Sequence, residues 1–390
     1  MAAIVGLGFS AISRKPIGSA RALAATAVRA AIDDAGLRLG DMDGLLLNPS
    51  SLAAEDALPL KLQEDIGLRD LHLLAIIDAK GSAVVQMVQQ ATMAIGAGLA
   101  QCVACVFADT PVVPQRGAGD TFAITSPITG IAGWERQYGL FGATGAYALA
   151  ARRHMALHGW SGDDLGAYVL ACRRWAALHP AAALRAPLTM EQYRAAPWVV
   201  EPFRLLDCAY PMNGAAAVVV TDAARAADAQ PKPVYVHGMG QGHPGGHPCR
   251  PVAGDGADPG SGGALAAEGA YRMAGIGPAD VTLCELYDSF SFTALLALEE
   301  YGFCGPGEAA RFVADGHTAP GGRLPLNTGG GHLAGGYLQG MTPLAEAVVQ
   351  GRGAGGARQV PQPDAILVNG SGGWLEHHAA LVLSPHRGLN

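Results

Sequence analysis

The chain is poor in charge and in aromatic rings: of its 390 residues, 15% are charged and 6% are Phe, Trp or Tyr, while 50% are apolar. That balance excludes an extended disordered chain and reads as globular. Lys and Arg number 26 against 33 Asp and Glu, a net charge of -7. With no basic excess, nucleic acid is not an expected partner. The opening Met1-Ala2-Ala3-Ile4-Val5-Gly6 has no basic n-region, so a secretory signal is not expected. The longest charge-free run, Gly81 to Ala108, contains Ser82, Gln86, Gln89, Gln90, Thr92 and Gln101. Those polar groups make insertion into a bilayer costly, so the run predicts a buried helix then a buried strand, and no membrane. The seven cysteines are scattered and odd in number, which suits a reducing cytoplasm better than a disulfide framework. The 54 glycines and 25 prolines follow no G-X-Y period, which excludes collagen.

What is present is an α/β pattern that occurs twice, in a chain long enough for two or three domains. Ile4 to Gly8 predicts a strand, and Ser19 to Ala35 a helix ended by Gly36. Leu45-Leu46-Leu47 predicts a strand, Ser82 to Ala97 a helix, and Cys102 to Phe107 a strand. Residues 110–200 look irregular, with helical stretches around 145–159 and 163–178. Ala215 to Thr221 is a strand, and Ala223 to Pro233 reads as a linker. Val234 to Gly238 then repeats the opening strand, and Gly263 to Ala274 the alanine-rich helix. The exits Asp34-Ala35-Gly36-Leu37 and Met273-Ala274-Gly275-Ile276 compare well. The glycine-rich segment 329–336, a helix at 340–350 and a strand at Ala365 to Val368 mirror the elements at 82–107. Matching order implies an internally duplicated fold.

Several short motifs have plain structural readings. Gly6-Leu7-Gly8 resembles a dinucleotide fingerprint, but Arg14-Lys15-Pro16 separate it from any helix, so a tight strand exit fits better. Cys102 and Cys105 have metal-like spacing, but on a strand they face opposite ways and no second pair exists. His243, His247 and Cys249 allow a metal site; a Gly/Pro loop near a substrate mouth fits better. Two segments are more specific. Cys284-Glu285-Leu286-Tyr287-Asp288-Ser289-Phe290 takes an apolar strand into a polar cluster opening a helix, where α/β sheets place ligands. Its plain readings are a core tyrosine and an N-cap aspartate. Asn327 to Tyr337, Asn-Thr-Gly-Gly-Gly-His-Leu-Ala-Gly-Gly-Tyr, implies backbone packed close to another helix or to a ligand. Asn369 to Gly373 is a second such loop.

At these residues the chain resembles the thiolase superfamily, especially thiolases of the sterol-carrier-protein type. The likeness spans nearly the whole chain: Ile4 to Gly8, Arg152 to Met155, Pro187-Leu188-Thr189, Asp207-Cys208, Asn213 to Ala216, the 284–290 cluster, Asn327 to Tyr337 and the last glycine loop. It implies two βαβαβαββ halves in a layered α/β fold, a first half over 1–222 holding a loop domain at about 111–205, a second over 228–390, and a dimer. Thiolases form an acyl-enzyme on a cysteine at a helix N-terminus. Here that position falls on Gly81, with Ala79, Lys80 and Ser82 around it. The second thiolase cysteine falls on Asn369, and two histidine positions fall on Tyr287 and Tyr337.

This pattern resembles the Cys-less thiolase-like aldolases of bacterial steroid side-chain degradation. That resemblance implies retro-aldol cleavage of a bulky β-hydroxyacyl-CoA, with the hydroxyl on a tertiary carbon, to a ketone and a short acyl-CoA such as propionyl-CoA. It implies catalysis by Tyr287 and Tyr337, no cofactor beyond the CoA thioester substrate, and an OB-fold zinc-ribbon partner of the domain-of-unknown-function-35 type. A retro-aldol step needs a base for the hydroxyl and an acid for the α-carbon, which two tyrosines can divide. Asp288 and His332 are expected to relay protons. Asn327, Gly330, Gly331, Gly81, Ser82 and Gly372 are expected to line the substrate, with loop N–H groups holding the oxyanion. Arg173 or Arg174 would meet CoA phosphates, against the plainer reading of a solvated helix face. Two other readings stay open: a thiolase acting through Cys208, Cys284 or Cys304, and a non-catalytic acyl-CoA-binding subunit.

Overall fold

The computed structural model describes residues 1–49, 57–112, 130–140, 142–226, 231–245 and 261–389. The first half runs β1 (Ala2–Phe9), α1 (Ala20–Asp34), β2 (Gly44–Asn48), α2 (Leu58–Ile66), β3 (Leu73–Ile76), α3 (Ala83–Gly96) and β4 (Cys102–Asp109). Next come α4 (Gly130–Gln137), α5 (Ala143–His158), α6 (Gly162–Leu178), α7 (Met190–Ala195) and a hairpin of β5 (Trp198–Val200) and β6 (Phe203–Arg204). The chain then returns as β7 (Gly214–Asp222) and α8 (Ala223–Ala226). The second half runs β8 (Val234–Gly242), α9 (Gly263–Ala274), β9 (Leu283–Glu285), α10 (Ser291–Glu300), α11 (Ala309–Ala314), α12 (Met341–Gly351), β10 (Ile366–Gly372) and β11 (His377–Ser384).

Nine strands hydrogen-bond in the order β3-β2-β4-β7-β1-β8-β11-β10-β9. The halves join where Ala2 to Ile4 of β1 pair antiparallel with Val234 to Val236 of β8. Outward from that seam, β1-β7-β4-β2 and β8-β11-β10-β9 repeat the same sequence of senses: antiparallel, antiparallel, parallel. The duplication expected from element order is therefore a duplication of topology. The halves differ at the outer edge. β3 pairs along β2, but its counterpart in the second half shrinks to one parallel bridge between Leu326 and Cys284.

Strand alternation divides the core into layers. Val103, Cys105 and Phe107 of β4 face an inner cluster with Val84, Val88, Met341 and Leu344 of α3 and α12. Cys102, Ala104 and Val106 face an outer cluster under α1 and α2. Leu367, Ala380 and Val382 turn the other way, beneath α9, α10 and α6. Both faces of each half-sheet are thus covered, which is why these strands read as unbroken apolar runs. Cys102 and Cys105 lie on opposite faces, as expected, and are free thiols.

The Gly6-Leu7-Gly8 motif is a packing device. A Cβ on Gly6 would fall 2.1 Å from the Ala31 carbonyl oxygen of α1, and Gly240 meets the Ala266 oxygen of α9 in the same way. The expected linker at 223–233 begins as α8 instead, because β7 leads straight into a helical turn. The region read as irregular contains α5 and α6 where helices were expected. No helix among the described residues is long and apolar enough to cross a membrane.

The duplication decides where the site lies. β3 and the Leu326 bridge each end in a loop that enters a central helix, α3 or α12. These two helix starts touch: a Cβ on Gly340 would stand 2.8 Å from the Val84 Cβ and 3.1 Å from the Gly81 oxygen.

Candidate active site

A 3₁₀ turn, Lys80–Ser82, precedes α3. Gly81 has no room for a side chain: a Cβ there would lie 2.0 Å from the Ser371 oxygen, 2.4 Å from Tyr287 Cζ and 2.6 Å from the Tyr287 hydroxyl. The phenol of Tyr287 therefore fills the space a nucleophile at this helix start would need. Ser82 is buried and no substitute. Its hydroxyl donates to the Ala79 oxygen at 2.7 Å and accepts from Gln86 at 3.1 Å. Gly372 lets the end of β10 reach this turn, since a Cβ there would fall 2.6 Å from both Ala79 O and Gly81 N.

Tyr287 follows β9 and is buried, whereas Tyr337 is half-buried just before α12. Their hydroxyl oxygens are 2.9 Å apart, with the rings at 78°. Burial and the neighbouring phenol push the Tyr287 hydroxyl well above its usual range. Burial raises Tyr337 only to about 12, because the Tyr287 hydroxyl and the nearby Gln339 amide favour its ionised form. The backbone around the pair is fixed from several elements. Tyr287 N–H donates to Asn369 Oδ1 at 2.7 Å, and Tyr337 N–H to the Tyr210 carbonyl at 2.8 Å. The residue at the second cysteine position thus holds a tyrosine's backbone.

Asp288 and His332 lie beside the pair but form no hydrogen bond to either hydroxyl. Asp288 accepts from the His332 backbone N–H at 2.8 Å and from the Tyr168 hydroxyl at 2.9 Å. His332 Nε2 lies 2.7 Å from the Gln339 carbonyl, which only accepts, so this nitrogen carries the proton. Nδ1 accepts from Asp288 N–H at 3.1 Å; it also lies 2.8 Å from an Asp288 carboxylate oxygen. The ring packs edge-on against Tyr287 at 4.7 Å. The polar contacts these two residues make in the structure are with each other, Tyr168 and Gln339.

The glycines of the 327–337 loop answer to protein contacts. Gly331 adopts φ 59°, and a Cβ there would be 2.1 Å from Asp288 Oδ2; Gly330, at φ 91°, meets Ala176 of α6 at 2.7 Å. The loop turns through a π-helical stretch at Gly331–Gly335. Asn327, expected to line the substrate, uses Nδ2 on the Tyr168 hydroxyl at 2.7 Å and the Leu286 oxygen at 2.9 Å. Its amide is engaged in structure. Beneath the loop Thr328 bonds both Glu285 and Glu346, and Arg358 pairs with Glu346 at 2.7 Å.

The other candidates fall elsewhere. Burial pushes the Cys208 and Cys304 thiols up to about 12 and Cys284 well above its usual value, the reverse of what a thiolate nucleophile needs. Arg173 is half-buried and donates to the Ala186 oxygen, while Arg174 is exposed. His243 Nδ1 stands 3.0 Å from His377 Nδ1. His247 and Cys249 lie outside the described residues, and no group of three His, Cys, Asp or Glu among the described residues is placed to hold a metal. Sequence reasoning missed Tyr168, Gln339 and Tyr147, whose ring packs at a tilt against Phe290 with centroids 4.9 Å apart. None belongs to a motif, and only the tertiary fold brings them to the tyrosines.

The chain is similar to several known proteins. Residues 260–385 match the thiolase C-terminal domain-like family. The chain is 36% identical to the 17-hydroxy-3-oxo-4-pregnene-20-carboxyl-CoA lyase of Mycobacterium tuberculosis, covering 90% of this chain and 92% of that one. It is 33% identical to the steroid side-chain-cleaving aldolase of Thermomonospora curvata, covering 90% of each. It superposes on the solved Ltp2-ChsH2(DUF35) aldolase with a TM-score of 0.88 at 33% identity, covering 100% of this chain and 98% of that chain. The chain belongs to the thiolase superfamily, among its thiolase-like aldolases, which are carbon–carbon lyases.

Proposed function

We propose that the site cleaves a bulky, steroid-derived β-hydroxyacyl-CoA at the bond between its α-carbon and a tertiary hydroxyl-bearing carbon. The products are a ketone and a short acyl-CoA such as propionyl-CoA. One observation carries this reading: the hydroxyl of Tyr287, bonded to Tyr337 at 2.9 Å, takes the space of a nucleophile's side chain at Gly81. A covalent acyl-enzyme is replaced by two hydroxyl groups in contact.

The net proton movement of a retro-aldol cleavage runs from the substrate hydroxyl to the α-carbon of the thioester. A phenol of pKa about 12 is ionised in roughly one molecule in 10⁵ at neutral pH. A preformed phenolate is therefore a poor base here, and a relay of neutral hydroxyls avoids it. One tyrosine receives the substrate's hydroxyl proton as it passes its own to the other. The second delivers its proton to the α-carbon as the carbon–carbon bond breaks and the alcohol carbon becomes a carbonyl. Each tyrosine ends with one proton, and the following turnover needs only reorientation of the hydroxyls. Side chains supply every proton transfer, and the reading calls for no metal or redox cofactor. Backbone N–H groups of the loops at Gly81, Gly330, Gly331 and Gly372 are the proposed thioester contacts.

The partner reading follows the Ltp2-ChsH2(DUF35) aldolase: this chain is proposed to work with an OB-fold zinc-ribbon protein of that type. It is also proposed to form a homodimer through β3, an edge strand of Leu73, Leu74, Ala75 and Ile76 that is only partly covered. A cytoplasmic setting fits the free thiols among the described residues. The test is turnover of a tertiary β-hydroxyacyl-CoA, with and without such a partner, scored for ketone and short acyl-CoA. Ketone release with no free CoA consumed supports the reading. CoA-dependent cleavage of a β-ketoacyl-CoA contradicts it.

A further inference from the structure

Beneath the loop that carries Tyr337, one hydroxyl lies between two carboxyl groups. Thr328 Oγ1 stands 2.7 Å from Glu285 Oε1 and 2.9 Å from Glu346 Oε1. All three residues are buried. Glu285 is the last residue of β9, two before Tyr287. Thr328 opens the glycine loop that ends at Tyr337, and Glu346 lies in α12, the helix after that loop. The hydroxyl therefore joins the segments that carry both tyrosines.

The protons of this cluster can be counted. Gln350 Oε1 accepts from the Val360 N–H at 2.9 Å, so Nε2 is the atom that donates to the Arg358 oxygen and to Thr328 Oγ1, each at 2.9 Å. A hydroxyl has one proton to give, and Thr328 has two carboxyl oxygens within reach. One carboxyl must then bring a proton of its own. Glu346 is the ionised one. Arg358 Nε and Nη2 meet its two oxygens at 2.7 and 3.0 Å, a bidentate pair, while Nη1 donates to the Gly355 oxygen. Glu285 has no share in that cation. Its Oε1 accepts the Thr328 backbone N–H at 3.0 Å.

A proton on Glu285 Oε1 satisfies every position. Glu285 donates to Thr328 Oγ1, Thr328 donates to Glu346 Oε1, and Gln350 fills the hydroxyl's other lone pair. The cluster then holds one negative and one positive charge. Without that proton it holds a second carboxylate, buried and unpaired, which is costly. Desolvation and the Glu346 charge act in the same sense, raising Glu285 well above the usual carboxyl range.

We propose that Glu285 is a neutral carboxylic acid and, acting through Thr328, a positioning residue for the tyrosine pair. Its O–H fixes the start of the 327–337 loop to the strand that delivers Tyr287, so the two segments share one buried hydrogen-bond chain. The protonation state does not depend on the aldolase reading; the effect on turnover rests on it. The titratable and charged groups around the acid are Glu346, Arg358, Asp288, Cys284 and Cys172. His179 stands at the edge, its Nδ1 3.1 Å from the Gly329 oxygen.

The test reads infrared absorption at neutral pH from protein labelled with heavy carbon at its glutamate side-chain carboxyls. The carbonyl stretch of a protonated acid is separate from the bands of a carboxylate. We expect the wild type to show such a band, Glu285→Gln to lose it, and Thr328→Val to shift it, since the acid then lacks its acceptor. A wild type with no protonated-glutamate band overturns the proposal without any variant. A band that survives in Glu285→Gln also overturns it, and if that variant does not fold, a band unmoved in Thr328→Val does so equally. Turnover tests the positioning. Thr328→Val should lower kcat by about 10-fold or more with KM changed less, and Thr328→Ser, which keeps the hydroxyl, should recover most of the loss. A kcat unchanged in Thr328→Val, or no better in Thr328→Ser, overturns the positioning role. A wild type with no aldol turnover would defeat the aldolase reading separately, while the infrared band would still decide the state of Glu285.

Discussion

The ring of Tyr287 stands where a side chain at position 81 would have to be: a Cβ on Gly81 would lie 2.4 Å from Tyr287 Cζ. In a thiolase that helix start carries the cysteine. The absence of the nucleophile and the presence of the tyrosine are thus one steric fact. Restoring the first requires removing the second.

That relationship makes reversal to a thiolase difficult. Gly81→Cys is expected to yield no acyl-enzyme and to destabilise the fold by on the order of 3 kcal/mol, from overpacking against Tyr287 and the Ser371 carbonyl. Thermal unfolding and intact mass after incubation with an acyl-CoA check both. Adding Tyr287→Ala should recover only part of the stability, because the backbone oxygen at 2.0 Å remains. A stable single variant that traps an acyl group would contradict the packing.

Removal of either hydroxyl breaks the relay without opening a large cavity. Tyr287→Phe and Tyr337→Phe should each lower kcat/KM by roughly 10²–10⁴. The double variant should be little worse than either single, since the two act as a unit. Additive losses in a double-mutant cycle would show that the hydroxyls work separately.

Asp288 braces the site through acceptor-only contacts, and its loss should appear first in stability. In Asp288→Asn one acceptor oxygen becomes a donor, facing either the His332 N–H or the Tyr168 hydroxyl proton. A loss of about 1–3 kcal/mol is expected from urea midpoints. Tyr168→Phe should cost less alone, and the pair should be strongly coupled.

Asp207 gives the fold a pH-dependent term. It is buried, takes hydrogen bonds from Tyr193, Ser291 and the Arg204 N–H, and is raised to about 6 by desolvation. The unfolded chain ionises this carboxyl near 3.9. Its stabilising term is therefore complete below about pH 4 and lost as pH rises to about 6, a change on the order of 3 kcal/mol. Against Asp207→Asn, which cannot titrate, wild-type unfolding free energy should fall through that window. A parallel pair of curves would contradict the assignment.

The parts of the fold legible in sequence were those written in local pattern. The α1 and α9 helices have alanine-rich faces and glycine exits, and β4 and β7 are unbroken apolar runs. Tyr337 stands out at the end of a glycine-rich motif, and Tyr287 where an apolar strand runs into a polar cluster. β3 escaped notice because it is a short edge strand with little burial, and the second half reduces its counterpart to Leu326. What surrounds Asp288, His332 and Asn327 was not legible, for one reason. Their residue types suit proton transfer and anion binding, but only the tertiary structure shows that Tyr168, Gln339 and Leu286 already take their hydrogen-bonding atoms. Gln339 and Tyr168 lie in no motif, so pattern alone gives them no signal.

The central claim is that two contacting tyrosine hydroxyls carry out carbon–carbon cleavage where thiolases use a cysteine. The most direct measurement is product analysis with a tertiary β-hydroxyacyl-CoA in deuterium oxide, for the wild type and Tyr287→Phe. The account predicts ketone and short acyl-CoA in equal amounts, one deuterium at the α-carbon, no requirement for free CoA, and near-complete loss in the variant. Cleavage that consumes free CoA, or that survives the loss of the Tyr287 hydroxyl, would contradict it.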